Sequence, residues 1–258
     1  MLTYSAGHHT AFFMQTSGNK ALITGATSGI GYALTCHFLR HQNTVVAVGR
    51  QLGNLADLQA EYPATLYPLA CDLTQRSQLD ELVHRLETDH PDLNVIINNA
   101  AVQYNYDLLE GEDVVFRIEH EIQTNLMAPL KLIGLLLPGL AQQPTAAIVN
   151  VTTGLAFAPK PSAPVYCGTK AGLHVFTQAL RYQLEGTAVK VFEIIPPIVD
   201  TPMTAGRTQS KITPEALVEE FWRNFAQDRW ESNIGKVKLL RQLLRLAPAA
   251  AARLMKPY

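Results

Sequence analysis

Two residues of this chain have types and spacing that could move a proton. Tyr166 and Lys170 bracket the stretch Tyr166-Cys167-Gly168-Thr169-Lys170. On a helix, residues four apart lie one turn apart on the same face. An ammonium beside a phenol favours the phenolate and lowers the tyrosine pKa from its reference of about 10. Such a tyrosine can give and take a proton near neutral pH. The same spacing also occurs on surface helices with a half-buried tyrosine, so the chemical reading depends on what the rest of the chain supplies.

A second stretch could hold a phosphate. Residues 20–24 read as a short apolar strand, followed by Gly25-Ala26-Thr27-Ser28-Gly29-Ile30-Gly31 and an apolar-periodic helix to about His41. Strand, glycine-rich turn and helix form the context that gives a glycine motif meaning. Glycines let the backbone turn tightly and let a pyrophosphate approach bare N–H groups, and the helix N-terminus adds donors and a favourable dipole. The spacing is Gly-x3-Gly-x-Gly rather than Gly-x-Gly-x2-Gly. A second strand at 44–48 ends in Gly49-Arg50. An acidic residue there would bind a ribose 2′-hydroxyl, whereas Arg50 can pair with a 2′-phosphate. This favours NADP (NADPH) over NAD; the alternative is that Arg50 is a solvated loop charge. A third strand at 65–70 runs into Cys71-Asp72-Leu73. Asp72 can accept from an adenine amino group or cap the following helix, expected near 75–88.

These residues need a scaffold. A fourth strand at 93–97 is followed by Asn98-Asn99-Ala100-Ala101, whose amides can tie neighbouring strands while the small residues leave room for a flat ligand. Residues 108–140 read as mostly helical with a long leucine stripe, suited to core or subunit packing. Asn125 lies inside it and, as a poor interior helix residue, lines a cavity or marks a bend. A fifth strand at 146–151 is apolar or β-branched apart from Asn150, as a buried parallel strand should be. It ends in Thr152-Thr153-Gly154, and a proline-rich loop leads to the helix carrying Tyr166. A sixth strand at 189–195 exits through Pro196-Pro197-Ile198-Val199-Asp200-Thr201. Beyond it, Thr213-Pro214 opens a helix to about 227. Phe221, Trp222, Phe225 and Trp230 crowd this segment and either form an apolar lid over a substrate or pack a peripheral helix. Residues 239–254 read as a basic amphipathic helix; burial on the domain or a second subunit fits better than a membrane surface. His174 reads as structural and Cys167 as packed. Strands alternating with helices imply a Rossmann-type doubly wound parallel sheet in three α/β/α layers.

Composition bounds the rest. The 258 residues are 47% hydrophobic and 17% charged, enough for one large α/β domain with a sizeable core. A formal net charge of -1 gives no electrostatic reason to expect nucleic acid as a partner. Three scattered cysteines suggest neither a disulfide framework nor a metal site, and a reducing cytoplasm fits them. There is no 18-residue apolar run and no signal-like segment at the front. Residues 1–17 read as a flexible extension, with Met14 an alternative start. Residues 18–258 then form one domain, with a substrate-side segment at about 202–235 and the amphipathic helix at about 238–255.

Taken together, the motifs resemble the short-chain dehydrogenase/reductase family over about residues 18–201, with the double proline and the arginine- and leucine-rich tail similar to its DltE-like branch. Residues 24–31 match the family's cofactor motif, Asn98-Asn99-Ala100-Ala101 its Asn-Asn-Ala-Gly with alanine last, and Tyr166-x3-Lys170 its catalytic pair. The family's catalytic serine lies thirteen residues before the tyrosine, where this chain has Thr153. A threonine hydroxyl can make the same bond to a carbonyl, but its methyl narrows the site and stiffens χ1. Pro197 stands where the family usually has glycine. The resemblance implies a cofactor bound by Gly25, Thr27, Ser28, Gly29, Ile30, Gly31, Arg50, Asp72, Leu73, Asn99, Ala100, Tyr166, Lys170, Pro196, Ile198 and Thr201. It implies catalysis by Asn125, Thr153, Tyr166 and Lys170, with Asn125 holding a water for proton relay. The implied reaction interconverts a small-molecule carbonyl and alcohol by hydride transfer. A homodimer or homotetramer follows from the same resemblance. The competing reading is an NAD(P)-binding regulator or scaffold without turnover.

Overall fold

A computed structural model describes residues 13–109 and 113–255, with side chains to residue 251. The strands are β1 Lys20–Thr24, β2 Thr44–Gly49, β3 Leu66–Ala70, β4 Val95–Asn98, β5 Ala146–Val151, β6 Val189–Ile195 and β7 Glu231–Asn233. They form one parallel sheet in the order β3-β2-β1-β4-β5-β6-β7. The order reverses beside β1, and the crevice outside the carboxyl ends of β1 and β4 is where such sheets bind ligands.

Helices cover both faces: α1 Gly29–Arg40, α2 Ala56–Glu61 and α7 Pro214–Phe225 on one, and α3 Arg76–Asp89, α5 Ala128–Leu140 and α6 Pro164–Gln183 on the other. Strand residues feed the two cores alternately. In β2, Val45 and Ala47 join the first core and Val46 and Val48 the second; in β6, Phe192 and Ile194 oppose Val189 and Val191. That period of two is why the central strands read as unbroken apolar runs.

Polar residues tie the middle of the sheet. Asn98 Nδ2 donates to Asn150 Oδ1 at 2.9 Å, and Asn150 Nδ2 donates to Thr177 Oγ1 at 2.9 Å. Glu193 of β6 is fully buried and accepts from Thr152 Oγ1 at 2.5 Å and from His174 Nδ1 at 2.9 Å. His174 therefore serves the core, as expected.

The long helical stretch is interrupted. Helix α4, Val114–Ile122, passes through a π-helical turn at Gln123–Met127 into α5. A wider turn of this kind puts one extra residue into the helix and marks a local distortion. Asn125 lies at its centre.

The aromatic segment resolves as core. Thr213 caps α7 by accepting from Ala216 N at 3.2 Å, with Pro214 as the first helical residue. Trp222 meets Phe38 of α1 edge-on at 4.8 Å, and Phe221 and Phe225 are fully buried. For the three rings of α7 the lid reading gives way to packing in the core against α1, while Trp230 is 42% exposed beside Phe192 of β6. Strand β7, with the polar sequence Glu-Ser-Asn, was not expected; it pairs with β6 in the register Ile194↔Ser232.

The single C-terminal helix is two. Helix α8, Val237–Leu246, stops before Pro248, and Ala247 sits at φ -147°, ψ 65°. Proline disfavours helical geometry in the residue before it, so α9, Pro248–Met255, starts afresh. Of the expected N-terminal extension, residues 1–12 lie outside the described residues. Met14 packs in the first core, and its N–H donates to Asp228 Oδ1 at 3.0 Å. Among the described residues, no helix is long and apolar enough to cross a membrane.

Candidate active site

The carboxyl ends of the strands open into a cavity of about 810 Å³. Its floor begins at the glycine turn. Gly25 has φ +64°, a region that favours glycine, and a Cβ there would lie 2.9 Å from Ala100 Cα. A Cβ on Gly31 would lie 2.1 Å from Gly25 O and 2.5 Å from Asn99 Nδ2. Asn99 locks the turn from the β4 side by donating to Thr24 O at 2.9 Å and Gly25 O at 3.2 Å. Thr24 Oγ1 in turn accepts from Asn99 N at 3.0 Å and Ala100 N at 3.1 Å. The amides after β4 thus hold the turn, and the backbone at Gly25, Thr27, Ser28, Gly29 and Ile30 faces the cavity at the N-terminus of α1. Such a cradle, too tight for side chains and ringed by N–H groups, fits the pyrophosphate of a dinucleotide.

Arg50, Asp72 and Leu73 line the far end of the same cavity. Arg50 is solvent-exposed there, and Asp72 Oδ1 accepts from Thr74 N at 3.0 Å and Thr74 Oγ1 at 2.7 Å. Partial burial raises the Asp72 pKa, but the two Thr74 donors and the Arg50 charge outweigh it and hold the carboxyl below its ordinary value. The helix that follows has Gln75 at its N-cap position, with no side-chain cap bond, and Asp72, three residues earlier, closes a local turn rather than capping.

At the other end the cavity is walled by Thr153, Tyr166, Lys170, Pro196, Ile198 and Thr201. Thr153 Oγ1 accepts from Leu155 N at 3.3 Å at the start of the turn after β5, which leaves its proton free for a ligand. Tyr166 and Lys170 sit on the buried face of α6, 7% and 2% exposed. Lys170 Nζ donates to Val151 O at 2.8 Å. Burial pushes its pKa down, against the pull of Glu193, to about 8.

The electrostatics of the pair differ from the expectation. Burial pushes the Tyr166 phenol well above its usual value, Cys167 adds to the rise, and the cation that opposes it is Arg207 rather than Lys170. The helical spacing places both residues on one face, but the lysine is anchored to the end of β5.

Two of the expected residues stand behind the wall rather than on it. Gly31 underlies the turn. Asn125 is fully buried, with Oδ1 accepting from Val102 N at 2.8 Å and Nδ2 donating to Val102 O at 2.8 Å and to Thr169 Oγ1 at 3.3 Å. Of its two readings the bend holds. The π-helical turn aims its amide at Val102, which lines the cavity.

Sequence reasoning pointed to the segment at about 202–235 without naming its lining residues, and it missed Lys160 and the cavity-facing side of α8. Met203 and Arg207 follow the proline exit, Lys160 comes from the loop before α6, and Val237, Leu240 and Leu243 present one side of α8. Helix α8 approaches closely: a Cβ on Gly154, next to Thr153, would meet Leu240 and Val237 side chains at 3.3 Å. The amphipathic pattern of 239–254 was the available signal, and part of its apolar face lines this cavity.

Comparison with known proteins agrees with this geometry. Residues 19–212 match the family described as short chain dehydrogenase. An uncharacterized oxidoreductase of Bacillus subtilis (strain 168), DltE, is 38% identical over 238 residues, covering 90% of this chain and 94% of that one. A fatty acyl-CoA reductase of Mycobacterium tuberculosis is 33% identical over 193 residues, 73% of this chain and 66% of the relative. The crystal structure of a short chain dehydrogenase from Burkholderia cenocepacia J2315 in complex with NADP superposes with a TM-score of 0.84 at 26% identity, over 95% of this chain and 100% of that one. The chain belongs to the short-chain dehydrogenase/reductase family of oxidoreductases. Within that family it falls in the DltE-like branch.

Proposed function

We propose that this protein is an NADP-preferring oxidoreductase that interconverts a small-molecule carbonyl and alcohol, with Tyr166 as the acid/base. The observation that carries the reading is that Thr153, Tyr166 and Lys170 converge on one cavity continuous with the glycine cradle and with Arg50. In this reading the turn from Gly25 to Gly31 holds the pyrophosphate, Arg50 the 2′-phosphate, and Asp72 and Leu73 the adenine. Asn99 and Ala100 flank the cofactor midway, Tyr166 and Lys170 meet the nicotinamide ribose, and Pro196, Ile198 and Thr201 the nicotinamide end. A bound nicotinamide supplies the hydride acceptor or donor.

The chain's own residues handle the proton. Thr153 Oγ1 donates to the substrate oxygen and orients it. In the reducing direction Tyr166 Oη gives its proton to that oxygen as the carbonyl carbon gains the hydride. In the oxidising direction the phenolate takes the proton back. A phenol raised by burial stays protonated at neutral pH, which suits an acid. By family resemblance Lys170 stabilises the phenolate left behind; in this structure its ammonium is bonded to Val151 O, and Arg207 is the cation that acts on the phenol. Asn125 enters as a positioning residue for the Val102 loop, and by family resemblance as the holder of a relay water.

Tyr166→Phe tests the core of the reading. On a ketone or alcohol found by screening with NADPH and NADP, turnover falls by about 10²–10⁴ while NADPH binding holds within about twofold. Normal turnover in that variant removes Tyr166 from the chemistry. Assembly is proposed as a homodimer or homotetramer through α4, α5 and α6, where Val115, Phe116, Leu135, Val175 and Tyr182 expose large apolar side chains. Sedimentation that shows only a 28.4 kDa species at micromolar concentration overturns it.

A further inference from the structure

The cavity's charged residues are unevenly placed. Among the described residues its one lining carboxylate, Asp72, stands beside Arg50 at the proposed adenosine end. Among the described residues that line the end around Tyr166, the charged side chains are cations, Lys160, Lys170 and Arg207; Glu121, which also acts on the phenol, is fully buried behind the wall, accepting from Tyr104 N and Tyr106 Oη. Lys160 is 9% exposed, and its Nζ donates to Asn105 Oδ1 at 3.0 Å. Arg207 Nη2 donates to Gln103 Oε1 at 2.9 Å and Met203 O at 3.4 Å. Both cations thus rest on neutral oxygens, and among the described residues neither has a carboxylate partner. Burial, followed by the neighbouring Arg207 charge, pushes the Lys160 pKa below its usual value.

Three chain segments build this corner. Gln103 and Asn105 belong to the stretch after β4, which is clipped to the loop before α6 by Tyr106 N donating to Ser162 O at 3.1 Å. Arg207 reaches the same stretch from beyond β6. A nearly buried ammonium next to a guanidinium, with no counter-charge among the described residues, is an unfavourable arrangement that an anion would relieve. Lys160 uses one of its three N–H groups, and both protein bonds of Arg207 come from Nη2, so donors remain for a ligand. The same cavity has an apolar stretch of wall, built from Leu155, Met203, Val237, Leu240 and Leu243.

We propose that Lys160 and Arg207 form an anion subsite, and that the substrate is an apolar-chain ketone or alcohol carrying a carboxylate or phosphate group. This rests on the oxidoreductase reading above, but its test does not require turnover. Hexanoate, hexyl phosphate and neutral hexanamide are titrated into the protein–NADP complex by calorimetry, using wild type, Lys160→Met and Arg207→Gln. At least one anion binds wild type about tenfold or more tightly than hexanamide, and each substitution removes most of that advantage while NADP affinity stays within about twofold. The tighter of the two anions identifies which group the site takes. Equal binding of all three probes to wild type overturns the proposal without reference to any variant. So does an anion preference that survives both substitutions. Loss of turnover in Tyr166→Phe leaves this comparison untouched, so the two readings fail separately.

Discussion

The two ends of the cavity are built by different means. The proposed adenosine and pyrophosphate end uses backbone: a turn whose glycines admit no Cβ, the first N–H groups of α1, and one amide side chain, Asn99, that staples the turn to β4. The proposed substrate end uses side chains from separated segments, with Lys160, Arg207 and Leu243 coming from three different places in the chain. Backbone recognition demands particular residues at particular spacings, because close approach and left-handed φ values leave few alternatives. Side-chain recognition on loops and a terminal helix demands only that the chain bring suitable groups together.

The sharpest way to break that contrast is to add one methyl group at the backbone end. Gly31→Ala places a Cβ 2.1 Å from Gly25 O in the unshifted structure, so the turn must move. Strain of this kind reaches about 3 kcal/mol, which predicts a loss of roughly 100-fold in NADPH affinity, with fluorescence titration as the readout. Affinity within threefold of wild type shows that the turn is not the rigid cradle described here.

Lys170 lies where the two ends meet, and its signature is a pH dependence. Its folded pKa of about 8 lies below its unfolded value. Below pH 8 both states hold the proton, and the folded state bears the full cost of a buried ammonium. Between about pH 8 and 10.5 the folded state has released the proton while the unfolded state keeps it, so this residue makes stability rise with pH. The contribution is at most about 3 kcal/mol across that window. Thermal unfolding of the cofactor-free protein at pH 7.5 and 9.5 should show the rise in wild type relative to Lys170→Met. Parallel curves for the two proteins would mean that Lys170 is not strained by burial.

Arg50 is a side chain at the backbone end, and it is exposed. Arg50→Ala should weaken NADPH by about tenfold, as for one charge-assisted contact, and leave NADH within about twofold. Equal losses for both cofactors would detach Arg50 from the 2′-phosphate.

The same contrast governs what could be read from the chain before the structure was seen. The apolar runs at β5 and β6 mark buried parallel strands because both faces must be covered, and both ranges coincide with the expected ones. The glycine turn announces itself through residues that nothing else can replace. By contrast, β7 is three polar residues whose strand geometry comes from docking on β6, with Ser232 buried by its neighbours rather than by its own preference. The rings of α7 were ambiguous because aromatics suit a lid and a core equally; the face of α1 decided between them. Asn125, a poor interior helix residue, marked the place of the bend, but the π-helical register change itself has no spacing that announces it. Lys160 and Arg207 carry no pattern at all, since their meaning lies in a distance across 47 residues of sequence that only the fold closes.

The smallest effect tests the side-chain end alone. Leu243 is half-buried on α8 and lines the cavity at the end away from Arg50. Truncation to alanine removes apolar surface worth roughly 1 kcal/mol when a substrate chain covers it. A ketone with a six-carbon chain should therefore lose about fivefold in kcat/KM in Leu243→Ala, through KM rather than kcat, because the contact is made equally before and during the reaction. A short methyl ketone that does not reach α8 should be unaffected, as should NADPH affinity. The ratio between the two ketones is the measurement, since it cancels any general loss of folded enzyme. An unchanged ratio would place the substrate's apolar part somewhere other than α8, and the apolar wall would then belong to packing rather than recognition.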